Sequence, residues 1–172
     1  MQPQEKQEIR ESLESGSQTL VDAVRGVTEE LAGRSPGEGR WSILECVEHV
    51  AKVERYLLGQ LECATLAETP MVNLQREAAI RVRAPTRSKR VEAPEPAKPS
   101  GHYATLSEAL SQFLENRSRT LKFVETCVSD PRAQITTHPL LGTVNCYETL
   151  LLMAAHPVRH AEQIAEIRSA LR

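Results

Sequence analysis

The sequence has few aromatic residues and no long apolar run. Phe, Trp and Tyr make up 3% of its 172 residues, so Leu, Val, Ile and Ala must build the core. This composition favours packed helices over a β-sandwich, whose strands are usually rich in aromatic residues. The longest apolar run, Leu150 to Ala155, is too short to span a bilayer, and residues 1–15 lack the apolar stretch of a secretory signal. We therefore expect no membrane segment.

The sequence also lacks a large excess of one sign of charge, and it lacks closely spaced pairs of cysteines. The net charge of −2 argues against a nucleic-acid partner. The sequence contains no C-x-x-C pair, so nothing in it suggests a zinc ribbon. We expect the four cysteines to be reduced, mostly as small core residues, in a cytoplasmic protein. With 40% hydrophobic and 26% charged residues, the composition is that of an ordinary globular chain, and we predict a single domain over residues 1–172.

Apolar residues recur at steps of three and four along most of the chain, which predicts amphipathic helices. Ser42 with Glu45, Thr105 with Glu108, and Asn145 with Glu148 have capping-box spacing, which marks three helix starts. The sequence shows neither sustained period-two alternation nor an Asn-Gly turn, so we expect no strands. The fold class predicted is all-α, a four-helix bundle with helices at approximately 4–32, 42–66, 105–128 and 145–171.

The connection between the second and third helices, residues 67–104, is long and rich in proline and arginine. Such a crossover lets those two helices run parallel. Between residues 76 and 98 it carries seven basic residues against three acidic ones. It is either a solvated linker or a lid whose arginines bind an anionic cofactor or substrate. The basic residues are Arg76, Arg81, Arg83, Arg87, Lys89, Arg90 and Lys98, of which Arg81, Arg83 and Arg87 are the candidate cofactor-binding residues.

His156 and His160 are four residues apart in a predicted helix, which places both imidazoles on one face. His49 lies in the middle of the second helix and can reach the same level of the core. Three imidazoles suit Zn, Ni, Cu or Fe(II) and leave open positions for water or substrate. Spacing alone leaves open that the pair arises by chance and that His49 is an ordinary core histidine. Pro157 should kink the helix between the two histidines.

Other catalytic templates are missing. The sequence contains no H-E-x-x-H, no glutamate three residues before a histidine, no phosphate loop and no G-x-S-x-G elbow. Cys46 precedes His49 by one turn and could form a Cys–His nucleophilic pair only in an electropositive setting.

Two segments resemble the DinB/YfiT-like superfamily of bacterial metal-binding four-helix bundles. RWSILECVEHVAKVE, Arg40 to Glu54, is similar to that family's Trp-Ser helix start and first ligand histidine. HPLLGTVNCYETLLLMAAHPVRHAEQI, His138 to Ile164, is similar to its His-Pro-x-x-Gly turn, H-x-x-x-H pair and trailing Gln-Ile. Proline after the second histidine departs from the family pattern.

The resemblance implies a metal site and roles for several residues. It assigns the metal ligands as His49, His156 and His160. It further implies that His138 holds the turn, that Gly142 takes a conformation other residues avoid, and that Trp41 packs at the helix start.

The resemblance also implies a function. Characterised relatives include S-transferases that use bacillithiol or mycothiol and a thiol-dependent maleylpyruvate isomerase. We therefore expect a divalent metal ion (Zn, Ni or Fe), a low-molecular-weight thiol, a small-molecule substrate and a homodimer. The leading hypothesis is a thiol S-transferase in detoxification or stress response. A metal-dependent hydrolase and a non-enzymatic stress-related binding protein are the alternatives.

Overall fold

The computed structural model describes residues 1–88 and 91–172, and in this part of the chain helices dominate. No described helix is both long and apolar enough to cross a bilayer. The helices are α1 (Pro3–Val24), α2 (Glu29–Gly33), α3 (Ile43–Glu62), α4 (Leu74–Arg83), α5 (Leu106–Thr126) and α6 (Cys146–Ala170), and the strands are β1 (Thr65–Leu66), β2 (Gln134–His138) and β3 (Gly142–Asn145).

The predicted helix 4–32 is wrong, because this segment forms two helices, α1 and α2. The chain leaves α1 through Gly26, whose φ of 72° is left-handed and suits glycine. Thr28 then begins α2, since its side chain accepts a hydrogen bond from the backbone N–H of Leu31. The apolar stripe continues across this break, so spacing alone did not reveal it.

The other predicted helix starts agree with the structure. Capping boxes are present at Ser42, Thr105 and Asn145. The second predicted helix, 42–66, ends earlier at Glu62 because the chain enters β1. The predicted crossover also contains a helix of its own, α4, capped by the Asn73 side chain.

The prediction that the chain has no strands is also wrong. The three strands form a small antiparallel sheet in the order β1-β2-β3. Gly142, with a φ of 69°, closes the hairpin between β2 and β3. Thr136 in β2 donates a hydrogen bond to the side-chain oxygen of Gln60 in α3 at 3.1 Å, which fixes the hairpin beside the bundle. A two-residue strand and two short partners give too little alternation to be recognised in sequence.

Contacts along the long helices define the topology of the bundle. Asn116 donates to the carbonyl of Ala51, and Thr120 to the carboxylate of Glu54 one turn later, so α5 runs parallel to α3. This agrees with the parallel arrangement expected from the long crossover. Helix α1 runs parallel to α6, because its middle packs on Ala154 and its C-terminal end accepts hydrogen bonds from Arg168.

The core consists of two apolar halves with polar side chains between them. One half contains Leu13, Leu58 and Leu150, and the other contains Leu20, Val47, Phe113 and Ile164. Between the halves, the buried Arg117 guanidinium binds the Glu54 carboxylate at 2.7 and 2.9 Å. Asn116 and Thr120, which are also buried, extend this polar group along α5.

Candidate metal centre

The three predicted ligands meet in the structure. The Nε2 atom of His156 lies 3.1 Å from Nε2 of His49 and 3.1 Å from Nε2 of His160. One potential ligand atom from each residue lies within 4.8 Å of the others. Ligands about 2.0–2.1 Å from a tetrahedral zinc ion are about 3.3 Å apart, so this spacing suits a single ion. Helices α3 and α6 therefore bring together three imidazoles that could hold one metal ion.

Two of the rings are oriented by hydrogen bonds from their other nitrogen. His49 Nδ1 donates to the backbone carbonyl of Ala97 at 2.7 Å, and His160 Nδ1 donates to the side-chain oxygen of Gln163 at 3.0 Å. An oxygen acceptor places the proton on Nδ1, which leaves the Nε2 lone pair available. Both rings are thus held in the tautomer that a metal ion requires.

Burial keeps the histidines neutral. It lowers the pKa of His49, and it lowers the pKa of both His156 and His160 well below the usual histidine value, with repulsion among the three rings adding to the effect. Neutral imidazole is the metal-binding form. At neutral pH the site can therefore accept a cation without first losing protons.

Helix α6 is continuous from Cys146 to Ala170 although it contains Pro157. The proline ring faces α1 at Gly16, where a Cβ would lie 3.2 Å from the Pro157 Cγ and 2.4 Å from the carbonyl oxygen of Ala154. Only glycine allows the two helices to approach so closely there. The departure from the family pattern is accommodated by packing in α1.

A cavity of about 700 Å³ contains the histidine cluster. Trp41 forms part of its wall, with its ring centroid 4.9 Å from that of His49. Its lining includes the apolar side chains of Val53, Leu57 and Leu152 and the charged side chains of Arg87, Arg159 and Glu166. This volume is typical of a pocket for a small molecule.

The candidate arginines of the crossover lie in different places. Arg81 donates to the Tyr147 hydroxyl at 2.8 Å and does not line the cavity, and neither does the exposed Arg83. Arg87 does line it, but its guanidinium is bound by the Glu166 carboxylate at 3.0 and 3.1 Å and by Gln163 at 2.9 Å. Arg87 therefore supports Gln163, the residue that orients His160. Lys89 and Arg90 lie outside the described residues.

The structure does not support the Cys46–His49 pair. Cys46 is fully buried and does not line the cavity, and burial raises the pKa of its thiol to about 12. A thiol with this pKa is not a nucleophile at neutral pH.

Sequence reasoning assigned no role to two groups that orient the histidines, Gln163 and the Ala97 carbonyl. Gln163 had a usable signal, since a residue three positions after His160 lies on the same face of the helix. The Ala97 carbonyl had none, because its position depends on the path of the crossover. That path is fixed by the Glu48 carboxylate, which accepts hydrogen bonds from the backbone of Ser100, Gly101 and His102, and these bonds lower the pKa of Glu48 although burial opposes them.

Comparisons with known proteins identify the family and agree with the fold. The family model of the DinB superfamily matches residues 12–164. TT2238, a four-helix bundle protein, has a similar structure with a TM-score of 0.61 at 21% identity, over 94% of this chain and 98% of that one. YfiT from Bacillus subtilis, a probable metal-dependent hydrolase with an unusual four-helix bundle topology, gives a TM-score of 0.62 at 16% identity, over 99% of this chain and 90% of YfiT. No curated protein has a matching sequence.

Proposed function

Since the chain belongs to the DinB superfamily, we propose that it is a metal-dependent thiol S-transferase that uses a low-molecular-weight thiol. His49, His156 and His160 would hold one divalent ion (Zn, Ni or Fe) through Nε2. The observation that carries this proposal is the convergence of three neutral Nε2 atoms on a cavity of about 700 Å³. A divalent ion in this position would lower the pKa of a bound thiol or water.

The carboxylates of the cavity favour a thiol over water as the nucleophile. The carboxylates among the described lining residues are Glu92 and Glu166, and both are ion-paired, with Lys98 at 3.3 Å and with Arg87 at 3.0 Å. Neither is therefore a ready general base. A thiol, with an ordinary pKa of about 8.5, needs less help to ionise than water does.

The chain's own residues contribute binding and exclusion of water. The Ala97 carbonyl and Gln163 orient two of the ligands, and the apolar walls keep water from an electrophile bound beside them. The cavity is large enough for a thiol cofactor and a small electrophile together.

Hydrolysis is the second candidate function, and the likeness to YfiT favours it. Metal-bound water reaches a pKa of about 7 in zinc enzymes without a separate base. The same site could therefore cleave an ester or amide without any thiol.

One experiment separates these functions. Purified protein loaded with zinc or nickel is mixed with monochlorobimane and, in turn, with bacillithiol, mycothiol or glutathione, and separately with an activated ester without thiol. We expect thiol-dependent conjugation that His160→Ala abolishes and that the control His102→Ala, at an exposed histidine outside the cluster, retains. Ester cleavage without thiol would instead identify a hydrolase. No turnover with any thiol or with the ester would favour a binding protein, and full activity in His160→Ala would contradict a role of the histidine cluster in the reaction.

We also propose a small-molecule substrate and a cytoplasmic homodimer. Four free cysteines support a reducing compartment. Exposed apolar side chains near α4, including Leu74 and Val82, could be covered by a second copy. Sedimentation velocity of the metal-loaded protein tests the dimer, and a monomer at micromolar concentration would contradict it.

A further inference from the structure

The cavity follows the groove between α3 and α6. His49, Val53 and Leu57 line it at four-residue steps along α3, and His156 and Leu152 line it four residues apart on α6. Each such step is about 6 Å along a helix axis. The groove therefore leads away from the histidine cluster along an apolar path.

The hairpin between β2 and β3 forms the other end of this groove. His138, Leu140 and Leu141 belong to it and line the cavity, and Leu140 and Leu141 are about half exposed. The hairpin directly precedes α6, whose first residue is ten positions before His156, or about 15 Å of helix. An extended molecule could therefore contact both the cluster and the hairpin.

His138 presents a hydrogen-bond donor in this part of the cavity. The backbone N–H of Leu140 donates to His138 Nδ1 at 3.2 Å, so Nδ1 carries no proton. Burial lowers the pKa of His138, and its neutral ring then carries the proton on Nε2. Within residues 1–88 and 91–172, no side chain or carbonyl accepts a hydrogen bond from this Nε2 atom. The ring thus holds the turn with one nitrogen and leaves the other free to bind.

We propose that this site takes elongated, mainly apolar substrates with a carbonyl-type oxygen at the end remote from the metal, and that His138 selects them by donating a hydrogen bond from Nε2. The proposal rests on the function proposed above, since it concerns the same cavity. Val53, Leu57 and Leu152 contact the apolar middle of the substrate. His138 is therefore a residue that determines specificity as well as one that holds the turn.

Binding of two matched probes tests this proposal. The probes are straight-chain alkyl hydroxamates, which bind zinc, ending either in a methyl group or in a methyl ketone, with chains of increasing length. Trp41, the one tryptophan in the sequence, contacts the cluster and reports binding to the zinc-loaded protein by fluorescence. We expect the ketone probe to bind about two- to tenfold more tightly, as one hydrogen bond provides, and only when the chain is long enough to reach the hairpin.

Variants identify the donor. His138→Leu should remove the preference for the ketone while the methyl probe still binds, which shows that the cavity is intact. His138→Gln, which keeps an N–H donor, should retain part of it, and Thr137→Val, an exposed neighbour outside the cavity, should retain all of it. Equal affinity of the two probes at every length, an unchanged preference in His138→Leu, or no binding of either probe would overturn the proposal. Because binding is measured, an inactive protein that still shows the preference would contradict only the proposed reaction.

Discussion

Arg117 donates a hydrogen bond from Nη2 to the carbonyl oxygen of Met153 at 2.7 Å. In a regular helix this carbonyl would accept from the backbone N–H of residue 157, which is a proline and has none. A side chain from α5 therefore satisfies the acceptor that Pro157 leaves open, in the turn that carries His156. The same guanidinium donates from Nη1 to the carbonyl of Leu13 in α1 and binds Glu54 in α3, so it connects α5 with three other helices.

Replacement of Arg117 by methionine should lower the free energy of unfolding by about 3–5 kcal/mol, because the buried Glu54 carboxylate loses its charged partner. Urea unfolding measures this loss. Arg119→Met is the matched control on the same helix, since its ion pair with Glu62 is exposed and should contribute less than about 1 kcal/mol. Similar losses in the two variants would contradict a structural role for Arg117.

Substitution of Gly16 by alanine should destabilise the protein by about 1–3 kcal/mol. The new Cβ would lie 2.4 Å from the carbonyl oxygen of Ala154, so α1 and α6 would have to separate. Gly59→Ala is the control, because Gly59 is also helical but has no neighbour within 4 Å, and this change should stabilise by up to about 1 kcal/mol. Equal melting temperatures for the two variants would show that close packing at Pro157 is not needed.

Local sequence signals predicted the long helices, whereas tertiary contacts decided the rest. The caps at Ser42, Thr105 and Asn145 depend on residues three positions apart, so the sequence reveals them directly. The break at Gly26 was hidden because the apolar spacing continues through it. The sheet was missed because strand β1 has two residues and pairs with a strand far away in the chain.

In the candidate site, too, local spacing could be predicted from the sequence and tertiary contacts could not. The four-residue spacing of His156 and His160 follows from helix geometry, so their proximity could be predicted. That His49 lies at the same level depends on how α3 packs against α6, and only the family resemblance indicated it. The part played by Arg117 was not predictable, because Pro157 is on another helix and no local pattern connects them.

Stability of the metal-free protein should fall as the pH drops below the ordinary histidine value of about 6.5. The pKa values of His49, His156 and His160 are lowered in the folded state, so the unfolded chain binds protons that the folded chain does not. Above this pH both states are neutral at these positions, and their contribution is constant. Urea unfolding in the presence of chelator, from about pH 8 to pH 5, measures the slope.

Carboxylates also titrate in the lower part of this pH range and change the stability there. The histidine contribution is therefore measured by comparing the wild type with a variant that lacks one of the histidines. His156→Gln removes one buried imidazole and should reduce the loss of stability below about pH 6.5. An identical pH dependence in the variant and the wild type would contradict the lowered histidine pKa.

The cysteines should react with a disulfide reagent in two classes. Cys63 is exposed and should be modified rapidly at about pH 8. Cys46 and Cys146 are buried, and burial raises the pKa of each thiol to about 12, so they should react only when the protein unfolds. Mass spectrometry after brief labelling identifies the modified residues. Rapid labelling of Cys46 in the folded protein would restore it as a candidate nucleophile.

Metal content tests the central claim most directly. Protein purified without chelator and dialysed against zinc or nickel should bind one ion per chain, as measured by elemental analysis. His49→Ala and His160→Ala should each lose the ion, whereas His102→Ala, which changes an exposed histidine outside the cluster, should retain it. A wild-type chain without metal, or full metal content in His49→Ala and His160→Ala, would contradict the three-histidine centre.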